Sequence, residues 1–303
     1  MDRGVKSAEG IRHDIMTRML MASTTMAARI ERAECGTVLD FASGAQRRGG
    51  DVLIHHIGGG VAVFAGPGQP FNKTIGLGFA GAIEPAAFEE MERAFDARGA
   101  EIRVELATLA DPSVGRSLTQ RGYELVGYEN VLGLALTGDL VQRPPAAQRE
   151  DNADDVRVAR ASDEETRVWI ETVTDGFGHP DHFDGPPPTE SFDRDTLIDV
   201  FASSSATPNM ALYLARRGGD VAGGGAARIS DGVAQLAGAS TLPAHRRRGV
   251  QTALLRSRLL DAAQCGCDLA VVTTEPASKS QQNVQRAGFS LLYSRAVLIR
   301  APR

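Results

Sequence analysis

The segment Thr241-Leu-Pro-Ala-His-Arg-Arg-Arg-Gly-Val-Gln-Thr-Ala-Leu-Leu255 decides how the second half of this chain folds. It predicts a strand that ends at Pro243, a short basic turn, and an amphipathic helix that begins after Gly249. The first turn of a helix leaves backbone N–H groups without acceptors, and the helix dipole favours negative charge there. Because Gly249 has no Cβ, a ligand can approach its backbone closely. The segment therefore predicts a cradle for a phosphate or pyrophosphate group.

The residues around this turn extend the pattern. Beyond it, apolar spacing predicts a helix, a buried strand and a second short helix, over 250–265, 269–274 and 279–287. With these flanks, Arg246-x-x-Gly249-x-Gln251 resembles the acyl-coenzyme A pyrophosphate loop of the GNAT superfamily of N-acetyltransferases, usually written Q/R-x-x-G-x-G/A. The later stretch Gln285-Arg-Ala-Gly-Phe289 is similar to the end of that superfamily's fourth helix. Gln251 departs from the motif, in which a small residue is usual.

The resemblance implies that the chain binds acetyl-coenzyme A and transfers the acetyl group to an amine of a small molecule, by direct attack in a ternary complex. It implies coenzyme contacts along the strand end, the basic turn, the helix start and the later helix. These positions are Thr241, Leu242, Arg246, Arg247, Arg248, Gly249, Val250, Gln251, Thr252, Ser278, Ser280 and Asn283. Ser278 or Ser280 would serve equally well as the N-cap of the later helix.

The general base is harder to predict, because the strand over 233–242 has no carboxylate, whereas many superfamily members carry a glutamate there. Gln235 and Ser240 on this strand would position a water molecule that removes the proton. Glu275, at the end of the next predicted strand, is the nearest acid with a suitable geometry. A solvated loop glutamate is an equally good interpretation of Glu275.

The acid that protonates the leaving thiolate is usually a tyrosine four residues before the glycine of the Gly-Phe pair, and this chain has Val284 there. Tyr293, Tyr213 or solvent would have to take that role. A backbone N–H near Thr241 or Leu242 would polarise the acetyl oxygen. The predicted catalytic set is therefore Glu275, Ser240 and Tyr293.

The acceptor amine is predicted to contact the long segment over 175–188. Phe177 and Phe183 would form apolar walls, and Asp175 would favour a cationic amine. His179 lies in the same segment, and the substrate-binding prediction comprises Asp175, Phe177, His179 and Phe183. The spacing of the histidines and aspartates there is not that of a known metal site, so no metal is predicted.

Composition limits the class of protein. The 303 residues are 42% hydrophobic and 23% charged, as in a soluble protein of two domains. A net charge of −5 argues against general nucleic-acid binding, and no apolar run is long enough to span a membrane. The three cysteines and the lack of a signal peptide favour a cytoplasmic protein with reduced thiols. A monomer or a homodimer is expected.

The two halves resemble each other, which predicts a duplication. Gln120-Arg-Gly-Tyr-Glu-Leu-Val-Gly-Tyr128 matches Gln285-Arg-Ala-Gly-Phe-Ser-Leu-Leu-Tyr293, roughly 165 residues later. The first half has Gly78-Phe-Ala-Gly-Ala-Ile-Glu-Pro85 where the second has its basic turn. No arginine lies in that stretch, and Glu84 would repel a phosphate.

The predicted fold class is α/β (α+β), with two tandem GNAT-like domains, each a mixed, mostly antiparallel sheet flanked by helices. Each half is predicted to end in a pair of short antiparallel strands. The predicted division is a flexible extension, a degenerate GNAT-like domain, a linker and an acyl-coenzyme A-binding domain, over 1–22, 23–138, 139–155 and 156–303.

Two other functions stay open at this point. A non-catalytic acyl-coenzyme A-binding or regulatory module would explain the missing strand carboxylate and the missing helix tyrosine. A protein N-acetyltransferase would need an open groove in place of a lidded pocket.

Overall fold

The computed structural model describes residues 20–136, 156–179 and 193–303. The elements of the first half are α1 (Thr24–Arg47), β1 (Leu53–Ile57), β2 (Gly60–Phe64), β3 (Thr74–Ile75), α2 (Pro85–Asp96), β4 (Ile102–Ala107), α3 (Pro112–Gln120) and β5 (Glu124–Ala135). Those of the second half are β6 (Val156–Arg160), α4 (Thr166–Phe177), α5 (Arg194–Ser205), β7 (Met210–Arg217), β8 (Asp220–Ser230), β9 (Val233–Thr241), α6 (Val250–Gln264), β10 (Leu269–Thr274), α7 (Lys279–Arg286) and β11 (Ser290–Arg300). None of the described helices is long and apolar enough to cross a membrane.

Eleven strands of the described residues form one sheet, in the order β1-β2-β3-β4-β11-β5-β10-β9-β8-β7-β6. Among these strands, β3 with β4 and β9 with β10 pair in parallel, and the other neighbours are antiparallel. The prediction of a mixed, mostly antiparallel sheet flanked by helices is confirmed. The sheet is continuous across the two halves.

The last strand of each half crosses into the other half. β5 lies between β10 and β11, and β11 pairs with β4 on its other side. The prediction that each half ends in a pair of short strands was wrong, since β5 and β11 are each one long strand of 12 and 11 residues. The apolar pattern correctly indicated strands there, but the partners of both come from the opposite half.

The pairing of β5 with β11 has an internal symmetry. Gly288 follows Gly122 by 166 residues, and Arg295 follows Glu129 by the same interval. Arg295 and Glu129 are direct partners in the ladder, so equivalent positions of the two halves face each other. In a symmetric homodimer of identical halves, the residue at this position would pair with the same residue of the second subunit. Within one chain the two positions can differ, and here they carry opposite charges, with Arg295 Nη1 and Glu129 Oε2 3.7 Å apart.

Helices cover both faces of the sheet, as the alternation along β2 shows. Val61 and Val63 pack with Val38 and Phe41 of α1, whereas the residues between and after them pack with α2. α4 and α5 lie on the same side as α1, and α6 and α7 lie on the opposite side with α2 and α3. We refer to the two sides as the α1 face and the α6 face.

Candidate functional site

The parallel strands β9 and β10 separate near the middle of the sheet. Their ladder runs only from Val233–Leu269 to Gln235–Val271, and the strands diverge beyond that pair. Past this point Ala237 and Thr273 are exposed to solvent although they lie in central strands. The divergence therefore opens a crevice through the sheet, between residues 236–241 and 272–274, whose two backbone edges do not pair with each other.

A β-bulge distorts β9 inside this crevice. Ala226 pairs with Ala237 and Gly224 pairs with Ser240, so that two residues of β9, Gly238 and Ala239, oppose one residue of β8. Gly238 has a φ of +56°, in the left-handed region that glycine adopts without strain. A bulge interrupts the ladder and turns backbone groups in a new direction. Sequence reasoning missed this position, although a glycine inside a strand pattern is its usual signal.

The bulge changes which backbone N–H group faces the crevice. The N–H of Leu242 donates to the carbonyl of Ala222 at 3.0 Å, and Thr241 pairs with Gly223 of β8. The N–H of Leu242 is therefore already committed within the sheet. The ladder with β8 is interrupted at Gly238 and Ala239, so these two residues do not have the regular pairing that holds Leu242.

The predicted strand, turn and helix are present at the end of β9. Gly249 is the N-cap of α6 with a φ of +81°, and Arg247 also has a positive φ of +61°. The first intrahelical hydrogen bond runs from Ala253 N–H to Gly249 C=O at 3.0 Å, so the N–H groups before it point out of the helix start. Apart from Gly249 itself and its two chain neighbours, no described residue has an atom within 4 Å of the place where a Cβ on Gly249 would stand. The start of α6 thus faces open space, as an anion cradle requires.

The three arginines of the turn have different environments. Arg247 and Arg248 are exposed. Arg246 is half-buried, and its Nε donates to the carbonyl of Thr241 at 3.3 Å while Nη2 donates to the carbonyl of His179. Arg246 therefore ties the turn to the end of β9 and to the segment after α4.

Two buried hydroxyl groups stand at the ends of the separated strands. Thr241 Oγ1 ends β9 and Thr274 Oγ1 ends β10, and neither has a hydrogen-bond partner among the described residues. A buried hydroxyl without a partner costs roughly 1–3 kcal/mol. A ligand with amide groups in the crevice would satisfy both, which fits a site built for an extended polar chain.

The predicted catalytic residues lie at different depths. Ser240 is buried, and its Oγ donates to the carbonyl of Thr172 at 3.5 Å. Glu275 is exposed, directly after β10. Tyr293 is buried beneath α1, and its hydroxyl donates to Glu31 Oε1 at 2.7 Å. Burial raises the pKa of the Tyr293 hydroxyl, and the nearby Glu31 carboxyl adds to that.

The predicted acceptor residues gather at the end of α4. Asp175 forms an ion pair with Arg194 at 3.0 Å, and the carbonyl of Asp175 lies 2.9 Å from Nδ1 of His179. Phe177 is half-exposed and packs on Phe201 with ring centroids 5.5 Å apart. These residues adjoin the basic turn through the bond between Arg246 and His179. Phe183 lies outside the described residues, as do positions 1–19 and 137–155.

The start of α7 shows which serine caps the helix. Ser278 is the N-cap of α7, and its Oγ accepts from the N–H of Gln281 at 3.2 Å. The N-cap reading is therefore correct for Ser278 and not for Ser280. Asn283 lies one turn further along the helix.

A buried charged cluster on the α1 face was missed by sequence reasoning. We define it as Glu31, Glu34, Lys73, Glu105, Glu129 and Arg295. Lys73 lies 3.1 Å from both Glu34 and Glu105, and Arg295 Nε donates to Glu31 at 2.9 Å. The members come from distant parts of the chain, so no local motif could reveal them.

The charged cluster reaches the crevice. Arg295 Nη1 lies 3.5 Å from Thr273 Oγ1, on the exposed part of β10. On β9, the amide nitrogen of Gln235 donates to Glu34 at 2.7 Å, and its amide oxygen accepts from Thr37 at 2.8 Å. Gln235 is thus held within the protein. Burial, with repulsion from Glu105, raises the pKa of Glu129 to about 7.

The raised pKa of Glu129 predicts a pH-dependent stability. Between pH of about 4.5 and about 7 the folded protein keeps a proton that the unfolded chain has lost, so this group's contribution to the free energy of unfolding falls as pH rises through that window. Glu129→Gln removes the titration. We therefore expect the free energy of unfolding of the variant, relative to the wild type, to increase from pH 5 to pH 8, as measured by urea denaturation. A difference that stays constant over this range would contradict the prediction.

Comparisons with known proteins find a similar family and similar folds. Residues 179–289 match the acetyltransferase (GNAT) family. A GCN5-related N-acetyltransferase from Kribbella flavida is 23% identical and has a TM-score of 0.61, with 91% of this chain and 96% of that chain covered. None of the curated proteins compared matches the chain.

Two further solved structures are similar over most of the chain. A GCN5-related N-acetyltransferase from Sphaerobacter thermophilus is 16% identical, with a TM-score of 0.53 and coverage of 84% of this chain and 76% of that one. A tandem GNAT protein from the clavulanic acid biosynthesis pathway is 13% identical, with a TM-score of 0.56 and coverage of 80% and 79%. At these identities the similarity establishes the fold. The chain therefore has the fold of a tandem GNAT protein, and residues 179–289 within it match the GNAT family.

Proposed function

We propose that the second half of the chain uses acetyl-coenzyme A to acetylate a primary amine of a small molecule. The observation that carries the proposal is the crevice between β9 and β10, which leads along β9 to the open N-terminus of α6. A diphosphate would be held at one end and a thioester at the other. The family match over 179–289 supports the same chemistry.

The residues present suit the coenzyme. N–H groups from Gly249 to Thr252 would bind the diphosphate, and the exposed Arg247 and Arg248 would add positive charge at the rim. The pantetheine arm carries two amide groups and would lie in the crevice as an added strand. Its amides would supply the partners that Thr241 Oγ1 and Thr274 Oγ1 lack within the described protein.

Acetyl transfer needs a neutral amine and a polarised thioester carbonyl. We propose that the bulge at Gly238 and Ala239 supplies the polarising N–H, because the ladder is interrupted there. Ser240, working through a water molecule, and Glu275 remain our candidates for accepting the proton of the amine. Tyr293 is held by Glu31, so we assign it to the charged cluster. The thioester supplies an activated acetyl group, and the chain positions it and excludes competing water.

The first half lacks the corresponding cradle. β3 has two residues where β9 has nine, so little strand is available for an extended ligand to pair with. Glu84 occupies the N-cap of α2, where its charge opposes an anion. We propose that the first half completes the sheet and the α1 face of the active half.

The direct test is to incubate the full chain with acetyl-coenzyme A and polyamines, amino acids or aminoglycosides. Release of the coenzyme thiol, together with detection of the acetylated amine by mass spectrometry, would support the proposal. Tight binding without turnover on any acceptor would favour a binding module. Turnover confined to peptide N-termini or protein lysines would replace the small-molecule acceptor with a protein.

A further inference from the structure

A second cavity lies in the first half, away from the basic turn. It has a volume of about 260 Å³ and is bounded by α1, the turn between β1 and β2, and the segment after β3. Its lining consists of Ala28, Glu31, Arg32, Cys35, Gly59, Gly76, Phe79 and Ala80. None of these residues belongs to the crevice or to the turn before α6.

Two glycines line this cavity where the backbone packs closely against its neighbours. A Cβ on Gly59 would stand 2.8 Å from the Cβ of Ala80, and a Cβ on Gly76 would stand 2.6 Å from Cys35 Sγ. Both glycines have a positive φ, of +82° and +79°. The backbone therefore approaches α1 closely here, and the space is walled mostly by small apolar groups.

Glu31 gives the cavity one strongly polar group. The side chain is 1% exposed, and its Oε1 accepts from both Tyr293 and Arg295, at 2.7 and 2.9 Å. Its Oε2 is buried and has no hydrogen-bond partner among the described residues. Buried carboxylate oxygens are normally hydrogen-bonded, and leaving one unpaired is costly. With Oε1 committed to the sheet, Oε2 is the oxygen left for a donor in the cavity.

The charge around Glu31 favours a cationic donor. Within the described residues, four carboxyl groups (Glu31, Glu34, Glu105 and Glu129) are linked to three cationic side chains (Lys73, Arg103 and Arg295). The network therefore has one more carboxyl group than cations, and a ligand cation would make the two numbers equal. Burial raises the pKa of Glu31, and a neighbouring cation would offset that effect by stabilising the carboxylate.

We propose that this cavity binds a small molecule through its protonated primary amine, with the ammonium group donating to Glu31 Oε2 and the carbon chain packing on Phe79 and Ala80. Arg32 is exposed at the cavity. It would attract a carboxylate at the other end of the ligand, which makes an amino acid the preferred class. The site is separate from acetyl transfer and does not depend on it.

The test is isothermal titration calorimetry on the full chain at pH 7 without coenzyme. The probes are 4-aminobutyrate and n-butylamine, with butyrate and n-butanol as matched ligands that lack the ammonium group. We expect saturable binding of the two amines, tighter for 4-aminobutyrate, and none of the other two. Equal binding of n-butanol, or no saturable binding of either amine at millimolar concentration, would overturn the proposal.

Three variants locate the binding. Glu31→Gln should weaken amine binding by at least about tenfold, because a charge-assisted hydrogen bond is lost. Ala28→Leu should abolish it by filling the cavity without removing any charged side chain, with thermal unfolding showing that the fold is intact. Gly249→Asp should bind the amines as the wild type does. Amine binding that survives Ala28→Leu, or that Gly249→Asp removes, would place the amine elsewhere and overturn the assignment.

Discussion

Gly249→Asp is expected to abolish binding of coenzyme A. Gly249 has a φ of +81°, and this conformation costs an ordinary L-residue about 1–2 kcal/mol, so an aspartate there would shift the free turn away from the conformation proposed to bind the diphosphate. The new carboxylate would also stand at the N-terminus of α6, in the space proposed for the diphosphate, and repel it. Together these effects should exceed about 3 kcal/mol, so the dissociation constant should rise by more than about 100-fold. Calorimetric titration with coenzyme A measures it.

Gly249→Asn is the matched control for this variant. Asparagine has nearly the same size as aspartate, tolerates the left-handed conformation better than most residues, and carries no charge. We expect it to weaken binding by about tenfold or less. If the aspartate variant binds coenzyme A within about tenfold of the wild type, the diphosphate does not lie at this turn.

Arg295→Met is expected to destabilise the fold strongly. Arg295 is 1% exposed and lies 2.9 Å from Glu31 and 3.7 Å from both Glu105 and Glu129. Its removal leaves buried carboxylates without their cation, which typically costs about 3–5 kcal/mol. The free energy of unfolding from urea denaturation should fall by that amount. A loss below about 1 kcal/mol would show that the cluster does not hold the two halves together.

Two control variants test whether the loss of stability comes from the burial of Arg295 and from its ion pairs. Arg167→Met removes an arginine that is 89% exposed and pairs with Glu171, and this change should cost no more than about 0.5 kcal/mol. The double variant Arg295→Met/Glu129→Met removes both members of the central pair. Its loss should be smaller than the sum of the two single losses, because the second change removes one of the carboxyl groups that the loss of Arg295 leaves without a cation.

Local elements were predictable because their signals are local. The helix predicted over 250–265, the strand over 269–274 and the helix over 279–287 agree with α6, β10 and α7 to within one residue. The turn before α6 was also predictable, since Gly249 and the flanking strand and helix patterns lie within a few residues of each other. β3 is only two residues long. Its continuation carries Gly76 and Gly78 at positive φ, which break a strand.

The crevice and its surroundings were not predictable in the same way. The bulge at Gly238 depends on a register shift against β8. A sequence can predict that two segments are strands without showing which residues of the two strands pair. The charged cluster joins Glu31 on α1 with Glu129 on β5 and Arg295 on β11. Each of these residues alone is indistinguishable from a solvated surface charge. Tyr293, a catalytic candidate by sequence, likewise turned out to be bonded to Glu31.

The sequence alone determined where most helices and strands lie, indicated that the chain repeats itself, and predicted which turn holds an anion, because these depend on periodicity, capping and a single glycine. The tertiary structure decided which strands are neighbours. A strand has the same backbone donors and acceptors for any partner strand. Packing across the whole sheet therefore decided that β5 and β11 pair with strands of the opposite half. That exchange brought Glu129 against Arg295 and placed the charged cluster beside the crevice.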